Sequence, residues 1–158
     1  MDKRNGNIAE IRSNDGWSAI QMELSGTGPD FIVKARASGQ FWDREPNVEL
    51  ENAGLVDDFE LVLSQFVLPR AWVVELKSEF EAWLNDPKTI ELDFSDESMP
   101  RVSIFLGEVS GLISSIHKPA FVFKYLDSRI ETSVRFVVDQ SCIQLFVGEL
   151  NRALSYAA

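Results

Sequence analysis

The chain has 158 residues, 45% of them hydrophobic and 11% aromatic, and its 25 acidic and 15 basic residues give a net charge of −10. These values exclude intrinsic disorder, collagen-like repeats and small disulfide-stapled domains. They predict a single globular domain over 1–158, in which 1–16 form either a short strand or a flexible leader. The acidity also disfavours direct binding to nucleic acid, because phosphate contacts need clustered lysine and arginine.

Alternating apolar and polar residues predict strands in the first half of the chain. Residues 17–24 alternate, and 31–37 place Lys34 and Arg36 opposite an apolar face, as in an antiparallel sheet with one solvated side. Gly-rich turn residues separate these two segments. Residues 57–67 fit either a strand or a helix, so both alternatives remain open at this stage.

The second half of the chain carries two helix patterns separated by further strands. Trp72, Leu76, Phe80 and Trp83 recur at helical spacing and predict a helix near 70–84, with Pro69 in its first turn. A second helix near 140–154 is expected to be capped by Asp139 or Ser141. Between the helices the predicted strands are 88–94, 101–106, 107–116, 120–126 and 132–138.

The order of these elements predicts the fold class. Strands follow one another in runs and do not alternate with helices, which favours an α+β fold over a parallel α/β fold. The expected architecture is a mainly antiparallel sheet of about 6–8 strands with two packed helices. No internal repeat is visible in the sequence.

The single cysteine and the single histidine restrict the chemistry. Cys142 has no partner for an intrachain disulfide, and its apolar surroundings favour a buried inert thiol over a reactive nucleophile. His117 follows an apolar segment, and a surface or capping role is expected for it. Because it is the single histidine, metal sites that need two histidines are excluded. With no signal peptide and no apolar run of roughly 18 residues, the expected location is cytoplasmic.

Carboxylates supply the remaining candidate sites. The segment Asp93–Ser98 gathers oxygen ligands suited to calcium, but its spacing matches no EF-hand loop and a hairpin turn is the alternative. The pairs Asp57–Asp58 and Glu79–Glu81 would supply acid–base groups only if their side chains converged, which neither strand nor helix geometry favours. No phosphate loop, nucleophile elbow or metalloprotease motif occurs, so neither a metal nor a cofactor is predicted.

The negative charge is concentrated in two windows of the sequence. Residues 43–60 hold seven acidic residues and one basic, and residues 75–97 hold eight acidic residues and two basic. Each window therefore carries a net −6, while the rest of the chain carries +2. If the windows meet in the fold, they form an anionic face that steers a basic protein toward it. Ordinary solubility charge is the alternative interpretation.

The overall layout resembles small bacterial immunity proteins of polymorphic-toxin systems. The features that carry the resemblance are the helix Pro69–Leu84, the strand Ile90–Phe94, a glycine-bearing strand Gly107–Ile116 and the segment Val134–Asp139 that leads into the terminal helix. This resemblance implies a non-enzymatic inhibitor of a cognate toxin, often a basic nuclease. It implies no particular binding residue, because such proteins recognise their toxins through variable surfaces.

The sequence therefore predicts a cytoplasmic domain that binds a basic protein partner, with neither nucleic acid nor membrane among its partners. Aromatic residues beside charged rims are typical of interfaces, which adds one tryptophan to the acidic residues of the first window. The predicted partner-binding residues are Trp42, Asp43, Glu45, Glu49, Glu51, Asp57 and Asp58. The alternatives are a small-ligand or accessory domain with a pocket between sheet and helix, and an enzyme that uses carboxylates alone.

Overall fold

The computed structural model describes residues 7–14, 16, 18–39, 59–95, 100–107, 119–128 and 130–156. These residues form eight strands and two helices, so the prediction of a mainly antiparallel α+β fold is confirmed, with the strands divided between two sheets and not gathered in one. In chain order the elements are β1 (Ile8–Arg12), β2 (Ser18–Ser25), β3 (Asp30–Gly39), β4 (Phe59–Pro69), α1 (Arg70–Asn85), β5 (Ile90–Ser95), β6 (Arg101–Gly107), β7 (Ala120–Leu126), β8 (Glu131–Val137) and α2 (Gln140–Tyr156).

The strands form two separate sheets in which each strand pairs with its neighbour in sequence. The N-terminal sheet has the order β1-β2-β3-β4 and the C-terminal sheet the order β5-β6-β7-β8, and every pair is antiparallel. The alternation predicted for 31–37 is confirmed, because Phe31, Val33 and Ala35 are buried while Lys34 and Arg36 are exposed. Each sheet thus has an inner face toward the core and an outer face toward solvent.

The structure settles two points that the sequence left open or placed differently. From Phe59 onward, the segment 57–67 belongs to strand β4. Of the two alternatives that the sequence left open, the strand predicted by the alternation of apolar residues is therefore correct and the helix is not. Pro69 ends β4 in an extended conformation, with ψ of 138°, immediately before the first helical residue. It was expected in the first turn of α1, which begins one residue later. The expected strand at 107–116 lies outside the described residues, apart from Gly107.

The two halves of the chain repeat one arrangement of elements, although no repeat is visible in the sequence. Each half is four antiparallel strands followed by a helix, and each helix packs beside the first strand of the other half. Glu149 and Arg152 of α2 reach the outer edge of β1, where Oε1 of Glu149 accepts from the Glu10 amide at 2.7 Å. In α1 the Trp72 indole donates to the Asp93 carbonyl of β5 at 3.3 Å. Both contacts cover strand edges that would otherwise be open to pairing.

The core lies where the two inner sheet faces and the two helices meet. Phe66 of β4 and Tyr125 of β7 join the sheets, with ring centroids 5.2 Å apart. Phe80 of α1 and Phe146 of α2 join the helices at 5.6 Å, and both rings lie against Phe121 of β7 at 6.2 Å. One apolar cluster therefore holds both halves together, which is consistent with the aromatic content of the chain.

The start of α1 is tied to the turn between β2 and β3. The Arg70 amide donates to the Pro29 carbonyl at 2.8 Å, and its guanidinium donates to the carbonyls of Gly26 and Gly28 at 3.1 and 3.2 Å. The same guanidinium lies 4.1 Å from the centroid of the Phe31 ring, which is a cation–π distance. Gly26 has a φ of 106°, a conformation that other residues adopt only with strain, so this turn favours glycine there.

Asp139 caps the N-terminus of α2. Of the two capping residues that the sequence offered, Asp139 and Ser141, it is therefore the first that has this role. Its Oδ1 accepts from the Cys142 amide at 3.1 Å and from the Ser141 hydroxyl at 2.6 Å. The Ser141 hydroxyl and then the Cys142 amide lower the pKa of Asp139 to about 2. The helix N-terminus further favours a negative charge at this position.

Replacing Asp139 by alanine is expected to lower the free energy of unfolding by about 1 kcal/mol, the usual cost of losing such a cap. Because the folded pKa lies below the unfolded value of 3.8, the carboxylate stabilises the fold above that pH and loses this contribution as the pH falls toward 2. Urea unfolding of the wild type and of Asp139→Asn across this pH range checks the effect. Asparagine keeps an oxygen that accepts from the Cys142 amide, but it has no carboxyl group to be protonated. If both proteins lost the same stability in acid, Asp139 would not be the source of the acid sensitivity.

Candidate acidic binding surface

All seven predicted partner-binding residues lie in the part of the chain between β3 and β4. Trp42, Asp43, Glu45, Glu49, Glu51, Asp57 and Asp58 fall within 40–58, outside the described residues. The structure neither brings them together nor separates them. Their role stays a prediction, and so does the anionic face that the two acidic windows would form if they met.

The second acidic window lies on α1 and β5, and the structure describes most of it. Trp72 fixes which flank of the helix borders the strand, because its indole hydrogen bond reaches the β5 backbone. Glu75 and Glu79 follow Trp72 at three and seven residues, so they lie on the same flank of the helix. Asp86 directly follows the helix, with φ of −147° and ψ of 87°, and is exposed.

Strand β5 adds two carboxylates beside this row. Glu91 and Asp93 are exposed and alternate with Ile90, Leu92 and Phe94, which are buried or half-buried toward the core. Their register partners on β6 are Phe105 and Ser103, so both lie on the outer face of the C-terminal sheet. We call the set Glu75, Glu79, Asp86, Glu91 and Asp93 the α1–β5 acidic surface.

Within the described residues, no base forms an ion pair with the carboxylates of the α1–β5 acidic surface. No ion pair joins any of its five carboxylates to another residue in the described parts of the chain. Lys77 pairs instead with Glu81 at 3.7 Å on the other flank of α1. Lys88 is exposed in the connection between Asp86 and Glu91. The surface therefore presents a net negative field to solvent, of the kind that attracts a cationic partner.

The cysteine is poorly suited to nucleophilic chemistry. Cys142 is half-buried near the start of α2 and packs against the core cluster. Burial raises the pKa of its thiol above the ordinary value, and the nearby Asp139 carboxylate acts in the same direction. Less of the reactive thiolate is then present at neutral pH. His117, for which a surface or capping role is expected, lies outside the described residues.

The carboxylate sites considered from the sequence are either dispersed or outside the described residues. Glu81 pairs with Lys77, and Glu79 lies two residues away on the other side of the helix, so these two do not converge as a catalytic pair. Asp93, Phe94 and Ser95 lie within β5, and residues 96–98 of the segment lie outside the described residues. Within the described ranges, no three His, Cys, Asp or Glu side chains are grouped so that they would hold a metal ion.

A buried polar cluster at the β1 edge escaped the sequence analysis. Glu10 is 6% exposed, although it lies on a strand with polar neighbours. Its carboxylate accepts from Arg12 at 3.1 Å and from the Gln21 amide at 2.6 Å, while its own backbone amide donates to Glu149. The sequence held one indication of this cluster. Glu10 and Arg12 are two residues apart, so a strand places their opposite charges on the same face.

Comparison with known proteins leaves the family of this chain open. Among the described residues, neither helix is long and apolar enough to span a membrane. No protein-family model matches the sequence, and no curated protein matches it. Among solved structures, it is similar to the one titled "Structure of the plant transcriptional regulator PBF-2", at 12% identity, with 94% of this chain and 80% of that chain covered and a TM-score of 0.45. A likeness of this degree carries no argument about function.

Proposed function

We propose that this chain is a non-enzymatic, cytoplasmic protein-binding domain that engages a basic protein partner through acidic surfaces. The α1–β5 acidic surface is the observation that carries the proposal. Its five exposed or half-exposed carboxylates have no ion-pair partner in the described residues, although the chain has 15 basic residues. Charges arranged in this way raise the rate of association with an oppositely charged protein.

The acidic residues of 43–60 extend this proposal to the segment between β3 and β4. They double the negative charge available for recognition, and Trp42 supplies an aromatic group of the kind enriched at interfaces. The resemblance to immunity proteins suggests the class of partner, a basic toxin whose substrate-binding lysines and arginines the carboxylates would occupy. Inhibition would then follow from occlusion of the toxin's substrate site.

The proposal predicts that neutralising the α1–β5 acidic surface prevents capture of a basic partner. The triple variant Glu75→Gln, Glu79→Gln, Glu91→Gln removes three negative charges from this surface. The matched control Glu23→Gln, Glu81→Gln, Glu131→Gln removes three from other surfaces, so both proteins have a net charge of −7 against −10 in the wild type. Each protein is immobilised, exposed to lysate of the native source, and eluted with rising salt.

The expected result is a basic protein that the wild type and the control retain and that salt releases, because the attraction is electrostatic and screened by ions. The surface variant should retain at least about tenfold less of it. Equal retention by both variants would overturn the role of the α1–β5 acidic surface. Loss of binding in a third variant, with Asp43, Glu45, Glu49 and Glu51 changed to the corresponding amides, would place recognition in the first window.

A further inference from the structure

Strand β4 is the sheet edge that the described residues leave without a covering element. The edge of β1 is covered by Glu149 and Arg152, and the edge of β5 by Trp72. The remaining edge strand of the C-terminal sheet, β8, meets the segment after β1 through the Asn14 amide and the Val137 carbonyl at 3.0 Å. Strand β4 is 11 residues long, and no described strand pairs with its second edge.

An apolar patch lies on the outer sheet face beside this edge. Ile32, Val62 and Val67 are 48%, 44% and 46% exposed, which is unusual for large apolar side chains in strands. Ile32 and Val67 are direct register partners, and Val62 pairs with Arg36 two positions further along the same face. The patch therefore reaches the β4 edge, which no described strand pairs with, and would continue across it if another strand were added.

The stretch along this edge is also uncharged. Leu61–Pro69 contains no Asp, Glu, Lys or Arg, whereas the chain as a whole carries 25% charged residues and a net charge of −10. Charged residues on edge strands are a common protection against pairing, and this strand lacks them over nine residues. Two copies can therefore approach along β4 without placing like charges opposite one another.

The sequence of β4 is self-complementary when it is read against itself in the antiparallel direction. If Val62 lies opposite Val67 of a second copy, then Leu63 lies opposite Phe66 and Leu61 opposite Leu68. The bulge of β4, where Ser64 and Gln65 oppose the single residue Lys34 of β3, then falls on the twofold axis. Each copy contributes two bulge residues at the axis, so neither strand has an extra residue relative to the other. The register is therefore the same on both sides of the bulge.

We propose that β4 pairs with β4 of a second copy of this chain, across a twofold axis, to form a continuous eight-stranded antiparallel sheet. The occupant is a second copy because each apolar residue between Leu61 and Leu68 then meets an apolar residue, and the arrangement closes on itself. On each side of the twofold axis, Ile32 and Val67 of one copy and Val62 of the other then form an apolar group across the junction. This inference is independent of the proposed partner-binding function.

Sedimentation equilibrium of the wild type, Val62→Lys and Val74→Lys tests the association. Val62 and Val74 are both 44% exposed, but Val74 lies on α1, so the two variants carry the same change at the same exposure. The dimer dissociation constant of Val62→Lys should rise at least about tenfold, since a lysine on the edge opposes pairing, while Val74→Lys should match the wild type. A monomeric wild type, or equal effects of both variants, would overturn the proposal.

A cross-linking experiment tests the register without relying on a destabilising change. Val62→Cys and Val67→Cys are prepared separately in a Cys142→Ser background, and the two proteins are oxidised alone and as a mixture. Opposed residues in an antiparallel pair have Cα atoms about 4.5–5.5 Å apart, within reach of a disulfide. The two copies of position 62, like the two copies of position 67, lie five residues apart along the paired strands. This separation of about 17 Å is too long for a disulfide.

The mixture should therefore form a disulfide-linked dimer in at least about tenfold higher yield than either protein alone. Equal yields in all three samples would indicate random collision and would overturn the register. Since both residues are exposed in the monomer, the fold should tolerate the cysteines, and circular dichroism of each protein confirms this before oxidation.

Discussion

Replacing Phe121 by alanine is expected to lower the free energy of unfolding by about 4 kcal/mol, the largest effect of any change considered for this chain. Phe121 is 1% exposed and stacks on Phe136 of β8, with centroids 5.5 Å apart and planes at 28°. It also meets Phe80 and Phe146 edge-on, each at 6.2 Å. The substitution removes the ring that both helices and the C-terminal sheet share, and the surrounding elements are too constrained to fill the space.

Urea unfolding measures this loss, with Phe105→Ala as the matched control. Phe105 lies on the neighbouring strand β6 but is only half-buried, so its removal leaves no enclosed cavity. The control should therefore cost clearly less than Phe121→Ala at an unchanged dependence of stability on urea. Equal losses in the two variants would contradict the view that the aromatic cluster is the junction of the two halves.

Much of this fold follows from short-range patterns. The stripe of Trp72, Leu76, Phe80 and Trp83 predicts α1 because burial of one helical face dominates the local energetics. Strand β3 is equally clear, since its charged residues alternate strictly with buried ones. Such patterns determine which face of an element is buried, but they carry no information on which other element buries it.

The pairing of the two halves could not be predicted for that reason. The contact of Glu149 with the Glu10 amide joins residues 139 positions apart, and nothing near either residue specifies the other. Strand β4 was ambiguous because its bulge shifts the alternation by one residue between Leu63 and Phe66, which mimics helical spacing. Val62 and Val67 are five residues apart, so a regular strand would place them on opposite faces, but in the structure both are exposed.

The candidate binding surface was predictable only in part. Counting charges located both acidic windows, since surplus carboxylates are seldom buried and must lie on a surface. The count could not separate Glu81, which pairs with Lys77, from Glu75 and Glu79, which have no ion-pair partner in the described residues. That distinction depends on where each side chain lies around the helix, which only the structure shows.

Removing the acceptor that covers the β1 edge is expected to give the second largest effect. Glu149→Ala leaves the amide of Glu10 without its partner on α2, in a residue that is 6% exposed. An unsatisfied buried donor costs about 2 kcal/mol, and the bond lost is a short, charge-assisted one of 2.7 Å. We therefore expect the free energy of unfolding to fall by about 2 kcal/mol and the Glu10 amide to exchange faster with deuterium.

Two further variants separate this bond from a general effect on the helix. Glu149→Gln keeps a carbonyl oxygen that accepts from the Glu10 amide, so it should recover at least about half of the lost stability. Gln144→Ala changes an exposed residue of the same helix and should alter stability by less than about 0.5 kcal/mol. If glutamine were as damaging as alanine at position 149, or if exchange at Glu10 were unchanged, the Glu149 carboxylate would not be what protects this edge. The expected outcome instead assigns α2 a second role beyond filling the core, because it closes the edge of a sheet that belongs to the other half of the chain.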